Sequence, residues 1–380
     1  MSGARQYRGR LANGEGRAVL VEDGVIRDLR PCSGEGLPWL APALVDLQVN
    51  GFLGLDLNDG TLLPATVVAL CEVLAARGVG CFLPTLITAP HAAIIQRLGA
   101  IVAAIRADPL AAAMIAGVHV EGPMISPEDG PRGAHPIDFV RILTLDEVEA
   151  WQAAGGGLVR MVTLAPEIEG AIPLIRALAD RGILVAIGHS AASPEQIGEA
   201  VAAGARISTH LGNGAAALLP RHPNLIWAQL AEDALTAGFI ADGDHLPDAT
   251  LKAMLRAKDG RAFLVSDSVG LGGMPPGRYD NPIGGAVEID ASGKISVAGT
   301  PYLAGSGHAL IEFLGRVPGA TGLSLGETLA LATTAPAALI GRDVSLRTGG
   351  RADFVLFDWS PDAPTITLRD SVIAGERRGS

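Results

Sequence analysis

Cysteine is scarce in this sequence: only Cys32, Cys71 and Cys81 occur in 380 residues. An odd, scattered set offers no disulfide framework and no CxxC metal pair, so a reducing cytoplasm is the expected compartment. Aromatic residues make up just 4% of the chain, which leaves the core to aliphatic side chains. Basic residues are outnumbered, 29 Lys and Arg against 40 Asp and Glu, giving a formal net charge of −11. That balance argues against nucleic acid or an anionic membrane as partner. It does not exclude a small anionic substrate, because one local arginine suffices to hold a phosphate. No run of about 18 apolar residues is present, so no transmembrane helix is expected. The opening MSGARQYRGR has no apolar segment of the signal-peptide kind.

What the chain does have is 48% hydrophobic residues against 18% charged ones, with 49 Gly and 25 Pro. This excludes a disordered polymer and points to many short turns between aliphatic strands and Ala-rich helices. Eight short β-branched or aliphatic runs occur at 44–49, 79–86, 115–120, 158–164, 183–187, 206–209, 235–240 and 262–265. Most are separated by stretches with helical spacing, such as 194–203, where Ser193 is placed to cap the start and Gly204 to end it. The runs are continuously apolar rather than alternating, as strands buried on both faces are. The expected fold is therefore α/β, a (β/α)8 barrel, with an open doubly wound sheet as the runner-up. Residues 1–41 and 342–380 read as short strands that pair into one small β-sandwich domain. The barrel then spans 42–341, with a β-hairpin inserted near 286–298, around Ser292–Gly293.

Polar residues fall where barrel strands end, which is where barrel active sites are built. Gln48 and Asn50 close the first run, Glu121 the third, His189 the fifth, His210 the sixth and Asp267 the eighth. Two imidazoles and a carboxylate make a shell for a divalent ion with a position left for water. An aspartate across the barrel would then move protons. His91, His119 and His308 read as structural, while His135, His222 and His245 lie in loops after strands.

These residues sit in HVEGP, GHS and THLGN, with PALVDLQVNGFLGLDLND, GAHP, ADGDH and LVSDS in order around them. In that order and spacing the chain resembles the amidohydrolase superfamily, and within it the single-metal deacetylases of amino sugar phosphates. The resemblance implies an amidohydrolase-type barrel with a β-sandwich made from both ends of the chain. It implies Glu121, His189 and His210 as metal ligands and Asp267 as general base and then general acid. It implies His135 near the substrate carbonyl, His245 on the sugar, Asn213 and Gly214 facing a phosphate, and Arg221 reaching the active site of a second copy in a homodimer. The implied reaction is removal of the acetyl group from N-acetylglucosamine 6-phosphate. Many superfamily members carry HxH after the first strand and bind two metals. Here the near-metal pair is Gln48 and Asn50, and amides are poor divalent-metal ligands. One ion per chain is expected, zinc first, with Fe, Co or Ni suiting the same donors. THLGNGA lacks the family's usual aromatic and Met, which alters the pocket wall. Rival expectations are deacylation of another N-acyl amino sugar or amino acid, and a catalytically silent barrel that binds a sugar phosphate.

Overall fold

The computed structural model describes residues 4–281, 285–300 and 302–378. Eight parallel strands form one sheet in strict chain order: β1 Leu44–Val49, β2 Val79–Ile87, β3 Val118–Glu121, β4 Val159–Leu164, β5 Leu184–Ile187, β6 Ile207–Ser208, β7 Thr236–Phe239 and β8 Ala262–Leu264. Every residue of β1 and all but the last of β2 are buried. This is the two-sided burial that their unbroken apolar runs encode. The ring closes where Asn50 N donates to Ser268 O at 2.8 Å and Asp267 N to Gln48 O at 3.0 Å. The end of the first strand thus lies beside the segment that follows the last.

Val45, Leu47, Cys81, Leu83, Met161, Ala186, Ile207 and Phe263 converge as one cluster inside the ring. Intervening residues such as Leu44, Phe82 and Leu86 pack outward with helix residues Val67, Leu70 and Ile94. The helices owe their ends to local chemistry. Ser193 accepts from Gln196 N and Gln196 reaches back to Ser193 N, a capping box that starts Pro194–Ala203. Asn224 accepts from Ile226 N and Trp227 N and starts Leu225–Ala231.

The two ends of the chain form a separate, mostly antiparallel seven-stranded sheet. Arg5–Arg10, Gly16–Glu22, Val25–Cys32 and Trp39–Pro42 come from one end, and Phe354–Ser360, Ala363–Ile373 and Glu376–Arg378 from the other. They join where Trp39–Pro42 runs antiparallel to Phe354–Ser360. Val19, Ile26, Leu40, Phe354 and Val372 share its core. The first strand lies earlier than its apolar content indicates, ending at Arg10. Its polar RQYRGR sequence is held extended by pairing with Gly16–Glu22.

After β8, Gly277–Asn281, Gly285–Ile289 and Ile295–Val297 make a three-stranded antiparallel sheet rather than a hairpin alone. The first of these strands is polar and gives no alternating apolar signal. Val287, Ile289 and Ile295 pack on Ala304 and Val269, which brings this insert to the barrel mouth.

Candidate metal centre and active site

Glu121 is the last residue of β3, His189 and His210 lie two residues past β5 and β6, and Asp267 lies three past β8. His189, His210 and Asp267 have φ of 50°, 27° and 49°. Such left-handed backbone costs a non-glycine residue roughly 1–3 kcal/mol and persists only where the surroundings demand it. Here three strands leave the barrel through that conformation, and all three side chains reach one cavity.

His189 Nε2 and His210 Nε2 are 3.2 Å apart, and each lies 3.4 Å from Glu121 Oε1. A tetrahedral ion with bonds of roughly 2.0–2.1 Å separates its ligands by about 3.4 Å. His189 Nδ1 lies 2.9 Å from the Pro131 carbonyl, to which it donates, so the Nε2 lone pair faces the cluster. Two imidazole nitrogens turned toward one carboxylate oxygen therefore fit one divalent cation. Burial opposes ionisation of Glu121, but the adjacent His189 and His210 outweigh it and hold the carboxyl well below its usual range.

The first-strand amides serve as donors to the carboxylates. Gln48 Nε2 donates to Glu121 Oε1 at 3.0 Å, and Asn50 Nδ2 to Asp267 Oδ1 at 2.9 Å. An irregular register between Asp46 and Val49 aims them there, and Asp46 Oδ1 braces it by accepting from Gln48 N and Ser266 N. Burial pushes the Asp267 carboxyl up to about 6, against the opposing pull of His210. His135 Nε2 lies 3.3 Å from His189 Nε2, and its Nδ1 is 2.8 Å from Thr88 Oγ1. Burial, reinforced by His189, pushes its imidazole down to about 3, so the ring is neutral.

A cavity of about 690 Å³ opens over this cluster and takes in Asn213, Gly214 and His245. That is ample for a phosphorylated sugar. Gly214 has φ +57°, and a Cβ there would meet His189 Nδ1 at 3.0 Å and His210 Cε1 at 3.2 Å. Arg221 and His222 are exposed and do not line their own chain's cavity. His119 is buried below the site with Nε2 2.8 Å from Thr163 Oγ1. His91 takes the Trp151 indole N–H, and His308 pairs with Glu312. Thr88, Arg132 and Asp242 belong to the site or its walls but were given no role by the sequence. Asp242 sits in ADGDH, three residues before His245, and that spacing was the available signal.

An amidohydrolase family model matches residues 39–377. The chain is 36% identical to an N-acetylglucosamine-6-phosphate deacetylase of Bos taurus, over 97% of this chain and 89% of that protein. It is 33% identical to an N-acetylgalactosamine-6-phosphate deacetylase of Escherichia coli O157:H7, over 89% of each. Among solved structures, an N-acetyl-D-glucosamine-6-phosphate deacetylase from Mycobacterium smegmatis matches with a TM-score of 0.83 at 26% identity, over 95% of each chain.

Proposed function

The chain belongs to the amidohydrolase family, and we propose that it hydrolyses the acetamide of N-acetylglucosamine 6-phosphate to glucosamine 6-phosphate and acetate. The observation that carries this reading is the meeting of Glu121, His189 and His210 donor atoms, all within 4.8 Å of one another, beside the Asn50–Asp267 pair. These three residues would hold one divalent ion, zinc in our reading, which when bound supplies Lewis-acid activation of water and of the acetyl carbonyl.

The protein's own groups do the rest. Asn50 occupies Oδ1 of Asp267, so Oδ2 is the atom that takes the proton of the attacking water. Asp267 then gives that proton to the leaving nitrogen, because an amide anion is too basic to depart unprotonated. Neutral His135, its Nδ1 held 2.8 Å from Thr88 Oγ1, acts in this reading as the tautomer that carries its proton on Nε2 and donates it in a hydrogen bond to the acetyl oxygen. His245, Asn213 and the backbone at Gly214 bind the sugar phosphate and hold the carbonyl in place.

Arg221 supplies the phosphate cation to a neighbouring subunit in this reading. Leu218 is 91% exposed and Trp227 56% exposed on the same segment. Apolar side chains displayed beside an arginine support a surface that a second copy covers. The three cysteines are free thiols, two of them buried, which suits the cytoplasm we propose.

Acetate release should be measured on N-acetylglucosamine and N-acetylgalactosamine, each with and without the 6-phosphate, using metal-loaded protein. The galacto epimer is a real second reading, because that relative is nearly as similar as the gluco-specific one. The gluco 6-phosphate should be turned over best. Absence of acetate from all four compounds would sink the reading.

A further inference from the structure

Asp242 follows β7, and its buried carboxylate collects four hydrogen bonds. Oδ1 accepts from Asp244 N at 3.0 Å and from His245 N at 2.9 Å. Oδ2 lies 2.7 Å from His245 Nδ1 and accepts from Ser306 Oγ at 3.1 Å. The Oδ1 contacts are what any aspartate in a turn makes. The Oδ2 contacts are different: one partner is an imidazole in the cavity wall, the other a serine 64 positions away. Ser306 N in turn donates to Asp267 O at 3.0 Å. One carboxylate therefore ties the His245 loop to the backbone that carries Asp267. From outside, Arg316 Nη1 donates to Ala241 O at 2.9 Å and keeps this loop against the barrel.

We propose that Asp242 and Ser306 are positioning residues that set the His245 tautomer, so that Nε2 faces the cavity as a lone-pair acceptor for a hydroxyl of the bound sugar. The carboxylate has no proton to give, so the proton between it and His245 lies on Nδ1. Burial opposes ionisation of Asp242, but its hydrogen bond with His245 outweighs that and holds the carboxyl below its usual range. Ser306 completes the carboxylate's acceptor sites and prevents the ring from swinging. The inference rests on the deacetylase reading for its substrate, though the tautomer itself does not depend on it.

Asp242→Asn is the decisive variant. Its Oδ1 still accepts the two backbone N–H groups, but its amide N–H faces Nδ1 and drives the imidazole proton to Nε2. Imidazole ¹⁵N shifts should place the His245 proton on Nδ1 in the native protein and on Nε2 in the variant. This is readable whether or not the substrate is right, whereas failure of the deacetylase reading appears as absent turnover in the native enzyme. Asp242→Asn should lower kcat/KM on the order of 10–100-fold, with metal content retained. In a His245→Ala background it should cost nothing further, because its effect runs through that ring. Ser306→Ala should lose roughly 3–10-fold and be equally silent in that background; it serves if Asp242→Asn folds poorly. A native proton on Nε2, full kcat/KM in both variants, or losses that add to His245→Ala would each overturn the proposal.

Discussion

Asn50 Nδ2 donates to Asp267 Oδ1 at 2.9 Å across the seam where the barrel closes. The two residues are 217 positions apart, yet the closing backbone hydrogen bonds at Ser268 and Gln48 make them neighbours. The bond leaves one carboxylate oxygen for proton transfer and fixes its direction. Asp267→Asn should therefore cut kcat by roughly 10²–10⁴ while metal content stays near native. Asn50→Ala should keep the metal and lose kcat by a smaller factor, about tenfold, by freeing the carboxylate to rotate. Native kcat in Asp267→Asn would remove it as the base.

Metal stoichiometry tests the same end of the barrel. The amides of Gln48 and Asn50 turn their N–H groups to Glu121 and Asp267, and an amide oxygen is a poor divalent-metal ligand beside carboxylate and imidazole. Elemental analysis should give about one divalent ion per chain, and His189→Ala should lose it along with activity. Two ions per chain, both required, would refute the single-site reading.

The pH profile follows from the Asp267 environment. Burial raises its carboxyl to about 6, and a base works only when ionised. Activity should be full above that value and fall as the pH drops through it. A bound cation adds positive charge near the carboxylate in place of a protonated imidazole and carries the limb lower, so the midpoint should lie at or below about 6. Asn50→Asp should move it upward, because a second carboxylate then faces the first. Profiles of kcat/KM for both proteins read this directly, and an unmoved limb would count against Asp267 as its source.

Asp46 makes a stability prediction. Burial pushes its carboxyl up to about 7, from an ordinary value of 3.8, against hydrogen bonds from Ser266. Between those values the folded chain keeps a proton that the unfolded chain releases, so this group's contribution to stability falls as pH rises from about 4 to 7. Asp46→Asn keeps the acceptor for Gln48 N and Ser266 N but has nothing to ionise. Its stability relative to the native chain should grow across that window, by on the order of a few kcal/mol. Urea midpoints at pH 4.5 and 7.5 would show it, and a pH-independent difference would exclude it.

Arg221 tests the dimer. Arg221→Ala should lower kcat/KM for a 6-phosphorylated sugar by about 10–100-fold and barely change that for the unphosphorylated one. If the arginine serves the neighbouring site, mixing Arg221→Ala with Asp267→Asn chains should restore part of the activity. Equal losses on both sugars argue against phosphate contact, and no recovery on mixing argues against crossing.

Most of the barrel strands were legible because two-sided burial writes a local signature, a short run of aliphatic or β-branched residues, into them; the sixth, Ile207–Ser208 within Arg-Ile-Ser-Thr, carries it least. The polar residues that end those runs were legible for the same reason: Glu121, His189, His210 and Asp267 each interrupt or follow an apolar stretch. The polar Gly277–Asn281 strand was not legible, since only its antiparallel partner holds it extended. Nor were the pairings of Asn50 with Asp267 and of Asp242 with Ser306, because a hydrogen bond across many tens of residues leaves no trace in the spacing of either partner. The aim of the side chains was decided in three dimensions as well. It depends on the irregular register at Asp46–Val49 and on positive φ at His189, His210 and Asp267, which ring closure and cavity packing impose. Local sequence thus determined which residues stand at the barrel mouth, and tertiary structure decided which of them touch and through which atom.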